Sequence, residues 1–78
     1  MAVFDEFRRS IARVTRTAEG DITEDTLLED VKADSLHWVQ ILIGVETVYD
    51  VEIDIDREKM SEMKTVGEFS KYLETFID

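Results

Sequence analysis

The residues best suited to chemistry in this sequence are Asp34, Ser35 and Leu36, which precede an apolar run from His37 to Glu46. Asp and Ser side chains accept hydrogen bonds from the free N–H groups of a first helical turn, so a helix is predicted to begin here. The N–H groups and the dipole at that end favour an anion, including a phosphodiester on the serine oxygen itself. Ser35 is therefore a candidate site for a covalently held phosphate, although the same tripeptide is an ordinary helix cap in most proteins.

Other chemistry has little support. The only histidine, His37, lies too close to Asp34 and Ser35 on one helical turn to form a line of nucleophile, base and orienting group. The chain has no cysteine, which excludes a catalytic thiol, a disulfide framework and a thiolate metal site. The alternating acids from Asp50 to Asp56 do not form a calcium loop, because Ile55 stands where that loop requires glycine. We expect no catalytic residue and no metal site.

Charge is distributed unevenly along the 78 residues, which are expected to form a single domain spanning residues 1–78. Four arginines and three acids give residues 1–20 a charge of +1. Because the net charge of the whole chain is −10, residues 21–78 carry −11. Such a surface repels nucleic acid and anionic membranes and attracts basic partners. Because no apolar run is long enough to span a membrane and no signal peptide is evident, we expect a cytoplasmic monomer without membrane insertion.

Apolar spacing predicts an all-α fold, a small four-helix bundle with three longer helices and one short one. The helices are predicted over Val3 to Thr17, Ser35 to Tyr49, Arg57 to Met63 and from Thr65 towards Ile77. The alternating segment 49–56 resembles a strand, but it has no partner strand and is interpreted as an extended connection. The long loop before the second helix is expected to be anchored on the core by Ile22, Leu27 and Leu28.

The second helix is apolar nearly all round, which is typical of a helix that also meets a partner. One stripe is expected to face the core and consists of Trp38, Ile41, Val45 and Tyr49. A neighbouring stripe of Leu36, Val39 and Ile43 lies beside Ser35. This second stripe is a candidate docking surface.

In the order and spacing of these features, nearly the whole chain resembles the acyl carrier proteins, small four-helix carriers of phosphopantetheine. The matching pieces are Leu28-Glu29-Asp30-Val31, Asp34-Ser35-Leu36, Tyr49 at the end of the second helix, Val51-Glu52-Ile53, and Thr65-Val66. The resemblance implies that a phosphopantetheinyl transferase attaches 4'-phosphopantetheine from coenzyme A to Ser35, with Asp34 and Leu36 beside it. The protein would then catalyse nothing itself and hold acyl groups as thioesters.

The resemblance also implies partners and binding residues. The partners would be an acyl-loading ligase or acyltransferase and ketosynthase-type or other acyl-transfer enzymes of fatty-acid, lipid or polyketide-type biosynthesis. The implied acyl pocket consists of Leu27, Leu28, Trp38, Ile41, Leu42, Val45, Tyr49, Ile53, Met60 and Met63. The implied partner surface consists of Leu36, His37, Val39, Gln40, Ile43 and Glu46.

Several residues depart from the family pattern. Lys32 stands where the family usually has glycine, and Asp54 replaces a common proline. Three positions that are usually acidic in the family hold His37, Gln40 and Thr47 in this chain. Trp38 replaces a small polar residue near the acyl pocket. These departures favour a carrier dedicated to a specialised pathway. The alternatives are an aminoacyl, peptidyl or D-alanyl carrier, and an unmodified acidic interaction module in which Ser35 is only a cap.

Overall fold

The structure is a computed structural model that describes residues 3–77, the side chain of Arg57 excepted. These residues form four α-helices, which are α1 (Val3–Thr15), α2 (Ser35–Tyr49), α3 (Arg57–Glu62) and α4 (Val66–Glu74). Two single 3₁₀ turns, Glu19–Asp21 and Leu28–Asp30, lie in the loop between α1 and α2. Over the same range the only strand-like pairing is one bridge between Leu27 and Thr65. The predicted all-α, four-helix fold is confirmed.

Three helices end earlier than predicted, and α3 does so by one residue, at Glu62 instead of Met63. α1 stops at Thr15 because Arg16 adopts a left-handed conformation with φ of 58°, which breaks the helical path before Thr17. The hydroxyl of Thr15 donates to the carbonyl of Ile11 at 2.7 Å in the last turn. α4 ends at Glu74, and the residues that follow continue as turns rather than as regular helix.

The core forms where α2 and α4 pack against α1. Its most completely buried side chains are Phe7, Ile11, Ile41, Val45, Val66, Phe69 and Leu73. A glycine in the middle of α2 permits the close approach of α1, since a Cβ on Gly44 would lie 2.5 Å from the hydroxyl of Ser10. That buried hydroxyl donates to the carbonyl of Ile41 at 2.7 Å, so it is satisfied at the same contact.

The loop between α1 and α2 is held in a different way from the one expected. Ile22 is buried and Leu28 packs partly against the core, but Leu27 is 38% exposed and does not anchor the loop. Backbone hydrogen bonds hold this stretch instead. Leu28 N–H donates to the carbonyl of Lys64 at 2.8 Å, Val66 N–H to Thr26 at 2.8 Å and Gly67 N–H to Glu24 at 2.9 Å.

The connection between α2 and α3 is extended, as predicted from its alternating pattern. It leaves α2 through Asp50, whose φ of 53° is left-handed. Ile53 is then buried in the core, and its N–H donates to Glu46 Oε2 at 2.7 Å. Asp56 caps α3 by accepting a hydrogen bond from Glu58 N–H at 2.9 Å. This path places α3 beside α2, near Ser35.

Candidate functional site

The site begins at the N-terminus of α2, where Asp34 is the N-cap residue. Its backbone is extended, and its carboxylate accepts a hydrogen bond from His37 N–H at 2.9 Å. His37 Nδ1 in turn accepts from Asp34 N–H at 3.4 Å, which completes a capping box with histidine in the position where Glu or Gln is usual. His37 therefore has a local structural role in addition to its predicted place on the partner surface.

The charge of Asp34 is tied to this cap. The hydrogen bond from His37 N–H lowers the pKa of the Asp34 carboxyl below its ordinary value of 3.8. Desolvation opposes this effect, and Coulombic attraction to the His37 ring assists it when that ring is protonated. The carboxylate consequently stays ionised at neutral pH beside Ser35.

Ser35 differs from the other three serines of the chain. The hydroxyls of Ser10, Ser61 and Ser70 donate to the backbone carbonyls of Ile41, Glu58 and Gly67 at 2.7, 2.7 and 2.8 Å. The Ser35 side chain is exposed, and its hydroxyl has no hydrogen-bond partner among residues 3–77. A free, exposed hydroxyl at the N-terminus of a 15-residue helix suits a phosphodiester attached at that oxygen.

A mostly apolar groove of about 460 Å³ opens directly beside Ser35. It runs between α2 and α3 and is lined by Ser35, Trp38, Val39, Leu42, Ile55, Met60 and Ser61. Three of these, Trp38, Leu42 and Met60, are residues of the predicted acyl pocket. Val39 was predicted only as part of the docking stripe, and Ile55 and Ser61 were not predicted at the site.

The remaining predicted pocket residues lie elsewhere. Leu27, Leu28 and Met63 line a second cavity of about 510 Å³, which shares Ser61 with the groove. Ile41, Val45 and Ile53 are buried in the core. Tyr49 is half-buried at the far end of α2, where burial, with the charges of Glu6 and Asp5, raises the pKa of its hydroxyl. The pocket role of these seven residues stays a prediction.

The predicted docking stripe is exposed along α2. Leu36, Val39 and Ile43 keep 64%, 52% and 51% of their area accessible, and Gln40 is also exposed. Val48, for which no role was predicted, is 56% exposed and extends the apolar surface towards the end of the helix. Glu46 is partly buried and engaged with Ile53 N–H, so only part of its carboxylate is available to a partner.

Comparison with known proteins gives consistent matches over this whole region. Residues 5–73 match the family model described as the phosphopantetheine attachment site. Among curated relatives, the acyl carrier protein of Lactococcus lactis subsp. cremoris is 35% identical over 74 residues, covering 95% of this chain and 96% of the relative. The acyl carrier protein of a Sulfurovum species is 31% identical over 75 residues, with coverages of 95% and 97%. That of Wolinella succinogenes is 31% identical over 77 residues, with coverages of 96% and 97%.

No helix within residues 3–77 is long and apolar enough to cross a bilayer.

Proposed function

Because the chain belongs to the phosphopantetheine-attachment family, with the acyl carrier proteins as its relatives, we propose that Ser35 carries a 4'-phosphopantetheine arm. The family implies this prosthetic group, and its acyl carriers are carriers rather than enzymes. Residues 1–78 act as one acyl carrier domain. Asp34 and Leu36 flank the attachment point, and Asp34 keeps the first turn of α2 formed while the serine hydroxyl remains accessible.

The observation that carries this assignment is the free hydroxyl of Ser35 at an exposed helix N-terminus. Each of the other serines is committed to a backbone carbonyl, and Ser10 and Ser70 are also buried. In the attachment step the Ser35 oxygen forms a bond to the phosphorus of coenzyme A that bears the pantetheine. The pyrophosphate bond breaks, adenosine 3',5'-bisphosphate leaves, and the serine proton passes to a base of the phosphopantetheinyl transferase.

The cargo is an acyl group held as a thioester at the end of the arm. The carrier receives it from an acyl-loading ligase or acyltransferase and presents it to ketosynthase-type or other acyl-transfer enzymes in the cytoplasm. The relatives are named acyl carrier proteins, which favours acyl over aminoacyl or D-alanyl cargo. The neutral face of α2, with Gln40 and Thr47 at usually acidic positions, supports a specialised set of partners.

The test is modification by a broad-specificity phosphopantetheinyl transferase with coenzyme A. Intact-mass measurement should show one added phosphopantetheine on the parent protein and none on Ser35→Ala. Ser61→Ala is the matched control, because Ser61 is exposed at the same groove but its hydroxyl is bonded to Glu58; this variant should be modified like the parent. Mass added to Ser35→Ala would overturn the assignment.

A further inference from the structure

Trp38 lies one helical turn after Ser35 and connects the groove to the core. Its indole stacks on Phe69 with a centroid distance of 5.7 Å and an angle of 7° between the ring planes. It also lies 6.2 Å from the ring of Phe7, and these two phenylalanines are 5.0 Å apart. The three rings form an aromatic cluster, and Trp38 is the member that lines the groove.

Beyond this cluster the centre of the bundle is filled. Phe7 and Phe69 are fully buried, as are Ile41 and Val45 behind them. Because protein interiors are closely packed, an additional acyl chain can enter only if side chains are displaced. An acyl chain that the arm folds back into the groove therefore meets the indole first and would have to separate it from Phe69 to go further.

The groove in front of the indole offers a path that requires no such displacement. Its apolar wall consists of Val39 and Leu42 from α2 and of Ile55 and Met60 from the opposite side. Its volume of about 460 Å³ is that of a site for a small ligand. Methionine adapts its shape to what it contacts, so Met60 can follow chains of different width.

We propose that Trp38 determines the class of cargo by closing the bundle centre, so that acyl chains lie in the groove against the indole. The carrier then shields short acyl chains and leaves the distal part of long ones exposed. This inference rests on the proposed attachment of the arm at Ser35. Trp38 acts as a specificity-determining residue and takes no part in chemistry.

A longer acyl chain could follow a second path, out of the groove and into the neighbouring cavity, and an experiment can distinguish this path from entry beside the indole. The cavity lined by Leu28 and Met63 shares Ser61 with the groove, so a chain could pass from one to the other around α3. Lys64 also lines that second cavity, but it is exposed and belongs to no predicted binding surface. Lys64→Phe would fill part of that cavity and leave the indole untouched, so it serves as the matched control for substitutions at Trp38.

The experiment loads Ser35 with butyryl-, octanoyl- or dodecanoyl-phosphopantetheine by means of the transferase and the corresponding acyl coenzyme A. Intact mass confirms loading, and two readouts follow: the emission of the single tryptophan and the rate at which hydroxylamine cleaves the thioester. In the parent, cleavage should slow about tenfold from butyryl to octanoyl as methylenes are buried, with a shift of the emission. From octanoyl to dodecanoyl neither readout should change further.

Trp38→Leu opens the space beside Phe69, so dodecanoyl cleavage should be about tenfold slower in this variant than in the parent. Lys64→Phe should behave like the parent. The inference is overturned if loaded parent protein shows no dependence on chain length, if its protection continues to rise up to dodecanoyl, or if Lys64→Phe abolishes protection. Should Trp38→Leu fail to fold, the parent series alone decides between these results. Absence of any added mass would overturn the proposed function and this inference with it.

Discussion

The helices α2 and α4 begin with the same kind of N-cap hydrogen bond, but their first turns differ in whether a loop packs against them. Asp34 and Thr65 are extended N-cap residues whose side chains accept a hydrogen bond from the N–H three positions later. At α4 the N–H groups of Val66 and Gly67 donate to loop carbonyls at 2.8 and 2.9 Å, which closes that end. At α2, no backbone carbonyl within residues 3–77 accepts a hydrogen bond from the N–H groups of Ser35 and Leu36, and both residues are exposed. The cap sets where a helix starts, whereas the loop decides whether its N–H groups remain available.

The largest expected effect comes from disturbing the closed end. A Cβ at Gly67 would lie 2.9 Å from the carbonyl oxygen of Glu24, a backbone atom that cannot move freely. The clash in Gly67→Ala should lower the free energy of unfolding by about 1–3 kcal/mol. The better helix propensity of alanine should offset up to about 1 kcal/mol of that loss. Thermal unfolding monitored by circular dichroism measures this, with a decrease in Tm of several degrees expected.

Gly20→Ala is the control, because a Cβ there meets nothing within 4 Å and no glycine within residues 3–77 has a positive φ. Its Tm should stay close to that of the parent. Both variants should still accept phosphopantetheine at Ser35, since the α2 end does not depend on this contact. A Gly67→Ala protein as stable as the parent would show that the loop contact does not close α4 tightly.

A smaller effect is expected from the charge at the open end. The folded state lowers the pKa of Asp34, so its ionised form is favoured by folding. The stability that Asp34 contributes is present above its ordinary pKa of 3.8 and is lost as pH falls through the lower folded pKa. Asp34→Asn keeps an acceptor for His37 N–H but does not titrate. The Tm difference between parent and Asp34→Asn should therefore shrink as pH falls below the ordinary pKa of the Asp34 carboxyl.

This difference should be small, because the Asp34 carboxylate is exposed to solvent and salt. Repeating the series at high salt should reduce it further. A Tm difference that grows on acidification would contradict the sign of the pKa shift and the assigned hydrogen bond.

Local patterns in the sequence were sufficient to predict the helices and the start of α2 at Ser35. Asp34 and Thr65 mark their helix starts through side chains that act within one turn. The apolar spacing on α2 correctly assigns Ile41 to the buried side and Leu36 to the exposed side. Such features depend on nearest neighbours along the chain. For this reason the four-helix fold and the exposure of the docking stripe could both be predicted.

Features that depend on distant partners could not be predicted in this way. Leu27 was expected to anchor the loop by burial, but the loop is held by backbone hydrogen bonds to residues around Thr65 that leave no pattern in side-chain types. Glu46 was assigned to a partner surface, yet its carboxylate accepts a hydrogen bond from Ile53 across the α2–α3 connection. The division of the predicted pocket between a groove and a second cavity likewise depends on the position of α3, whose Ser61 lines both.

The phosphopantetheine arm is expected at the open N-terminus of α2 and not at the closed N-terminus of α4. Two-dimensional NMR can compare the amide resonances of the unmodified protein with those of protein treated with transferase and coenzyme A. We expect the largest shifts at the N–H groups of Ser35 and Leu36, while those of Val66 and Gly67 stay unchanged. Largest shifts at Val66 and Gly67, or modified protein with no shift at Ser35, would contradict it.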